Sequence, residues 1–123
     1  MLQATVAFTT VARGTDSQIT APREAIVRSA DEWRALWSAH RAEAAPTVDF
    51  SRFMVVGVFL GTRPTSGYAA EIVRVRSEGP VTTIEYREQR PAADSFNLQV
   101  LTSPFHVIRI PRVEQIEFRK LDP

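Results

Sequence analysis

The sequence predicts a mainly β domain of the α+β kind: an antiparallel β-sandwich or partly closed barrel carrying one amphipathic helix. Three observations carry that expectation. Phe53-Met54-Val55-Val56-Gly57-Val58-Phe59-Leu60 is almost uninterrupted apolar sequence, as a strand buried on both faces requires. From Tyr68 onward, short segments rich in β-branched and aromatic residues are separated by Gly- and Pro-containing turns. A single strong helix signal precedes both: Ser29-Ala30-Asp31-Glu32 has capping-box spacing, and Trp33, Leu36, Trp37 and His40 follow at i, i+3, i+4 and i+7 on one helical face.

In chain order, residues 4–11 carry a strand signal in Val6, Phe8 and Val11, and Arg13-Gly14-Thr15-Asp16-Ser17 reads as a turn. A second strand falls within 19–27, with Pro22 placing it at an edge or breaking it. The helix is expected over 30–42, ending before Pro46. After the apolar strand at 53–60, strands are expected at 69–76 and 81–88 around the turn Ser77-Glu78-Gly79-Pro80. Pairing Arg76 with Val81 would put Val73 and Val75 on one face with Ile84 and Tyr86, and Arg74 and Arg76 diagonal to Glu85 on an exposed face. Residues 89–94 read as a loop. Phe96, Leu98 and Val100 alternate as in a strand, and two short strands at 105–110 and 115–119 close a single domain over residues 1–123.

Composition excludes several functions. The 123 residues are 44% apolar and 24% charged, an ordinary globular balance. The net charge of +1 argues against nucleic acid as a partner. Of the 15 basic residues only Lys120 is a lysine, a bias that base composition alone can produce. The chain has no cysteine, so disulfides, thiolate catalysis and thiolate metal sites are absent. The longest apolar run is far below the roughly 20 residues of a membrane helix, so no membrane insertion is expected. Met1-Leu2-Gln3-Ala4-Thr5 lacks the positive region of a secretory signal, which leaves a cytoplasmic protein or an exported one whose signal has been removed.

No catalytic set is expected, and no cofactor or metal. Five residues separate Gly61 from Gly67 and Tyr68 follows, so the phosphate-loop pattern fails. Thr65-Ser66-Gly67 is not a nucleophile elbow. His106 reads as a packed or half-exposed strand histidine, and His40 as a cation at a helix C-terminus. Glu71, Glu85 and Glu88 alternate with arginines as salt-bridged strand surface, and the two tryptophans read as core rather than as an aromatic cage.

The candidate site is the loop Arg63-Pro64-Thr65-Ser66-Gly67-Tyr68, with Arg90 nearby. Its glycines can take positive φ, its proline fixes φ, and its hydroxyls can bond the backbone. Such a loop serves recognition or pure geometry equally well. If it serves recognition, replacing Arg63 and Thr65 should weaken a partner while leaving stability nearly unchanged.

Pro64-Thr65-Ser66-Gly67-Tyr68 resembles the bacterial PrcB C-terminal-like domains, named for a protease-complex stability subunit. Residues 29–37 with Trp33 and Trp37, Asp49-Phe50 leading to Met54-Val55-Val56, Gly61, Tyr86-Arg87-Glu88 and Thr102-Ser103-Pro104-Phe105-His106 extend the resemblance over roughly 24–112. The usual family loop reads Pro-Thr-Gly-Gly-Tyr, with glycine where Ser66 stands. The resemblance implies a non-enzymatic protein-interaction domain with a protein partner, a protease or its complex. The same loop also looks like that of the chagasin-type cysteine-protease inhibitors, which are immunoglobulin-like sandwiches. Here Arg63 replaces the leading Asn, and Ala92 follows Arg90-Pro91 where that family has an aromatic. Inhibition and small-molecule or anion binding are the alternatives, and oligomeric state is open.

Overall fold

The apolar strand at the centre of the sequence is covered twice. The computed structural model describes residues 3–121; Met1 and Leu2, which open the stretch read for a signal, lie outside them. The elements are β1 (Gln3–Val6), β2 (Thr9–Gly14), β3 (Arg23–Val27), α1 (Ala30–His40), β4 (Phe53–Phe59), β5 (Ala69–Glu78), β6 (Val81–Gln89), β7 (Phe105–Pro111) and β8 (Gln115–Lys120). One sheet has the order β1-β5-β6-β8 and the other β2-β7-β4-β3. The sheets remain two open layers, a sandwich rather than a barrel.

Between the sheets, Met54, Val56, Val58, Ile108 and Ile110 pack against Ala70, Ile72, Val75, Ile84 and Tyr86. On the outer face of the second sheet, Ala25, Val27, Val55, Phe59, Phe105 and Val107 pack under Trp33, Leu36 and Trp37 of α1. Odd and even residues of β4 therefore both meet apolar neighbours, which is why its sequence does not alternate. The helix starts as its spacing predicts: Ser29 Oγ accepts from the Glu32 amide at 3.2 Å. The Glu32 carboxylate accepts from the Arg28 amide at 2.9 Å, one residue before the usual capping-box donor. It ends at His40, two residues short of expectation, because Arg41 is extended. Trp33 donates Nε1–H to the Pro46 carbonyl at 2.8 Å, folding the following chain back over the helix.

Several expectations are corrected. The strand signal over 4–11 is two strands in different sheets, with the crossover at Ala7-Phe8. β2 runs through Arg13 and Gly14, which had read as a turn; the Phe105 ring lies over Gly14, where a Cβ would stand 3.3 Å from it. The β5–β6 hairpin turns on Gly79-Pro80 alone, Gly79 having φ 59. Positive then negative φ is the sign pattern of a two-residue type II′ turn. Glu78 therefore faces Val81 and Arg76 faces Thr83, a register two residues from the expected one. An even shift preserves faces, but a bulge between Ile72 and Arg74 does not: Val73 is turned out and 41% exposed, while Val75 faces Ile84 in the core. Finally, β6 and β8 run parallel, because the chain crosses from β7 to the other sheet before entering β8; the remaining pairs are antiparallel.

The largest correction concerns residues 95–101. Phe96, Leu98 and Val100 alternate, yet form no strand. Alternation specifies a strand only where one face is buried, and here no layer lies over the segment. Both flanks of β6 are already taken, by β5 and β8.

Candidate functional site

The segment 95–101 is bound instead to the loop at 63–68. The Ser66 amide donates to the Leu98 carbonyl at 3.1 Å, and the Leu98 amide donates to Ser66 Oγ at 2.8 Å. Arg63 and Thr102 exchange backbone hydrogen bonds at 2.7 and 3.0 Å, and Thr102 Oγ1 donates to the Thr65 carbonyl at 3.0 Å. Gly67 closes the contact with φ 94; a Cβ there would stand 2.5 Å from Asn97 Oδ1 and 2.8 Å from Pro91. Glycine is required at 67 on both grounds. Ser66 needs no positive φ, since among the described residues only glycines adopt one.

Two stretches far apart in sequence thus form one pinned projection. Its apolar side chains point away from the body: Phe96 is 92% exposed, Leu101 72% and Leu98 62%. The structure brings Arg63, Pro64, Thr65, Ser66 and Gly67 together with this segment. Tyr68 is half-buried at the junction with β5, and exposed Arg90 follows the end of β6 beside Gly67. Sequence reading found the loop and missed its partner segment, because the apolar alternation at 96–100 is the same signal a strand gives.

Arg63 is committed to the fold. Its Nε and Nη2 donate to the two oxygens of buried Glu88 at 2.7 and 3.1 Å, and Nη1 donates to the Leu60 carbonyl at 3.0 Å. Lys120 Nζ lies 3.4 Å from the same carboxylate. The Arg63 hydrogen bonds hold the Glu88 carboxyl below its ordinary range, against the upward push of burial. This buried pairing argues against the expectation that Arg63 can be removed without loss of stability. Arg63→Ala should cost about 2–3 kcal/mol, since it strands a buried carboxylate with one weaker partner. Thr65→Ala should be nearly neutral, because Thr65 Oγ1 donates to the neighbouring Ser66 carbonyl. Urea midpoints of the two single variants check the pair, and equal midpoints would contradict it.

The other acidic residues divide by burial. Glu71 pairs with Arg87 at 2.7 Å on the surface, as expected. Glu85 does not stay exposed: Arg74 at 2.7 Å and Arg76 at 3.4 Å lie across it and bury it. Burial pushes its carboxyl up, but the two guanidinium groups outweigh that and leave it below the usual range.

Both histidines are buried, on opposite faces of the β2-β7-β4-β3 sheet, so they build no common site. His40 is not a solvated cation at a helix end. Its Nδ1 is 2.7 Å from Ser17 Oγ, its ring packs edge-on to Phe105 and Trp37, and burial together with the Arg41 charge lowers its pKa. Ser17 and His40 are 23 positions apart and no spacing motif announces them. The Ser17 hydroxyl also accepts from the Ile19 amide at 3.0 Å, so it serves the loop rather than facing a cleft. His106 Nδ1 accepts from the Ile72 amide at 2.9 Å, which leaves Nε2–H to donate to Thr10 Oγ1 at 2.8 Å. Burial, aided by the Arg13 charge, pushes its pKa down to about 4. Among the described residues, no three His, Asp or Glu side chains gather as a metal would need, and no helix is long and apolar enough to cross a membrane.

Two open sheets with a helix on one of them, and a glycine-pinned apolar projection at one end, define a helix-covered β-sandwich domain. Residues 54–111, from β4 through β7 and including both halves of the projection, match the PrcB C-terminal family. That match, over a little under half of the chain, supports a PrcB C-terminal-like domain. The family match is consistent with a protease-complex-associated domain. No curated protein and no solved structure matches the chain.

Proposed function

We propose that this domain is a non-enzymatic interaction module that docks on a protein of a protease complex through the projection formed by residues 63–68 and 90–101. The observation that carries the reading is the exposure of Phe96, Leu98 and Leu101 on a segment whose backbone is tied down at Ser66, Thr65 and Arg63. Clustered exposed apolar side chains mark interaction surfaces. Holding them in place beforehand lowers the ordering cost of association. Pro64 and Arg90 are exposed on the same projection; Pro64 adds apolar surface and Arg90 supplies a polar rim. Arg63, by contrast, supports the projection from beneath. The absence of catalysis is supported by the two histidines, each committed to a buried hydrogen bond and held neutral near pH 7.

The test is capture of partners from the native host by the tagged domain, followed by mass spectrometry. The wild type should retain a protease or a subunit of its complex. Phe96→Ser with Leu101→Ser should reduce that retention at least tenfold, about 1.4 kcal/mol, with an unchanged thermal midpoint. Equal retention by the double variant would move the surface elsewhere. Active-site inhibition of a papain-like protease by the wild type would replace docking with inhibition.

A further inference from the structure

We propose that the end of the sandwich where β3 and β7 finish and β4 begins binds an acidic segment of a protein partner, through the guanidinium groups of Arg52 and Arg109. The projection lies beyond the other end of β4, whose seven residues make roughly 20 Å of strand. The two surfaces are therefore separate, and this one stands whether or not Phe96 and Leu101 bind a partner.

Over much of the surface, cations and carboxylates are matched. Arg34, Arg41, Arg63, Arg74, Arg76 and Arg87 each lie within ion-pair distance of a carboxylate. At this end, four arginines do not. Arg28 follows β3, Arg52 precedes β4, Arg109 stands near the end of β7 and Arg112 follows it, and the three strands are neighbours in one sheet. Arg28 donates to the Val113 and Glu114 carbonyls at 2.6 and 2.7 Å. Arg112 donates to the Arg28 and Phe50 carbonyls at 3.0 and 2.9 Å. Carbonyls satisfy those N–H groups without cancelling the charge. Among the described residues, the guanidiniums of Arg52 and Arg109 meet no acceptor. Each packs only on the Phe53 ring, 5.2 and 4.4 Å from its centroid.

Two cations held against one ring repel each other, and an anion placed between them relieves that repulsion. Arg52 is exposed, and only Nε of the Arg109 guanidinium is buried, so its Nη groups face outward. A planar fork with free N–H groups takes a carboxylate in two parallel hydrogen bonds. The carboxylates nearest in the chain are turned elsewhere. Asp49 feels the Arg52 charge, but it accepts from the Ser51 amide and hydroxyl at 3.0 and 2.6 Å. Glu32 accepts from the Arg28 amide, and Glu114 also borders Arg28. The Arg28 side is thus partly compensated, which places the contact at Arg52 and Arg109.

The layout selects the occupant. Neighbouring strands are roughly 4.8 Å apart, so cations at the ends of three of them form a row rather than a cup around one ion. A chain carrying successive carboxylates can meet several at once. Nucleic acid fits less well: the net charge is +1, and the Phe53 ring, already taken by two guanidiniums, offers no face for a base to stack on.

The probe is a fluorescein-labelled hexaglutamate peptide titrated onto the full chain at low salt. Anisotropy gives the affinity, and NMR of backbone amides and arginine Nε–H groups gives the footprint. Binding should perturb Arg52, Phe53 and Arg109, and should weaken as salt rises. Arg52→Gln and Arg109→Gln should each weaken it severalfold and together at least tenfold. Arg119→Gln, in β8 of the other sheet, should leave it within twofold, as should Phe96→Ser with Leu101→Ser. Because Arg52 is exposed, its variant reads the surface even where Arg109→Gln destabilises the fold. The proposal is overturned if the peptide leaves those signals unmoved, if Arg119→Gln weakens it as much as Arg52→Gln does, or if Arg52→Gln binds as the wild type does. Tighter binding of a short oligothymidylate at the same ionic strength would assign the surface to nucleic acid. Full competition by inorganic phosphate at the peptide's own concentration would assign it to a single oxyanion, and either result overturns the acidic segment.

Discussion

Trp37→Ala is expected to cost about 3–5 kcal/mol of stability, a large part of the roughly 5–15 kcal/mol of an ordinary domain. The reason is position. Trp37 and Trp33, with ring centroids 5.2 Å apart, are buried between α1 and the outer face of the β2-β7-β4-β3 sheet. Truncation leaves a void beneath a helix that has one apolar stripe with which to hold on. It also uncovers the His40 ring, 4.9 Å from that of Trp37, so the lowered His40 pKa should rise toward its ordinary value. Ser29→Ala at the helix cap should cost only about 1 kcal/mol. A urea midpoint for Trp37→Ala near that of Ser29→Ala, or a His40 titration that does not move, would show that this layer is not packed as described.

Stability should fall by about 3 kcal/mol between pH 7 and pH 4 through His106 alone. In the unfolded chain a histidine titrates near 6.5; in the fold His106 titrates near 4, because burial disfavours its cation and its Nδ1 already accepts the Ile72 amide proton. Between those values the unfolded chain binds a proton that the native state refuses. The contribution is thus complete above about pH 6.5 and is lost as pH falls toward 4. His40 is lowered as well and acts with the same sign. Glu85 and Glu88, both below their ordinary range, add their own losses at still lower pH. His106→Gln keeps an acceptor for the Ile72 amide and removes the titration. Urea midpoints measured from pH 7.5 to 4 should fall at most half as steeply for that variant as for the wild type. Parallel curves would place the acid sensitivity elsewhere.

The sequence by itself determined the elements whose pattern is local or whose environment is uniform. The capping box and the period of Trp33, Leu36 and Trp37 placed the helix. The unbroken apolar run of β4 announced a strand covered on both sides, and Pro22 marked an edge or a break: β3 starts just after it, at Arg23, and is the outermost strand of its sheet. The loop at 63–68 was visible because glycine and proline carry their backbone constraints with them.

Only the tertiary structure decided which groups those elements would meet. Phe96, Leu98 and Val100 repeat every second residue, yet whether a layer lies over them depends on strands elsewhere in the chain. With none there, Leu98 pairs its backbone with Ser66, and the apolar side chains face outward. Arg63 looked like a contact residue and became a strut, because Glu88, 25 positions away, is buried beneath it. One extra residue at Val73 reversed a face that alternation had assigned, and His40 found Ser17 without any motif to join them. Periodicity and backbone constraint are properties of neighbouring residues, whereas burial and charge pairing belong to contacts that exist only once the sheets have closed on each other.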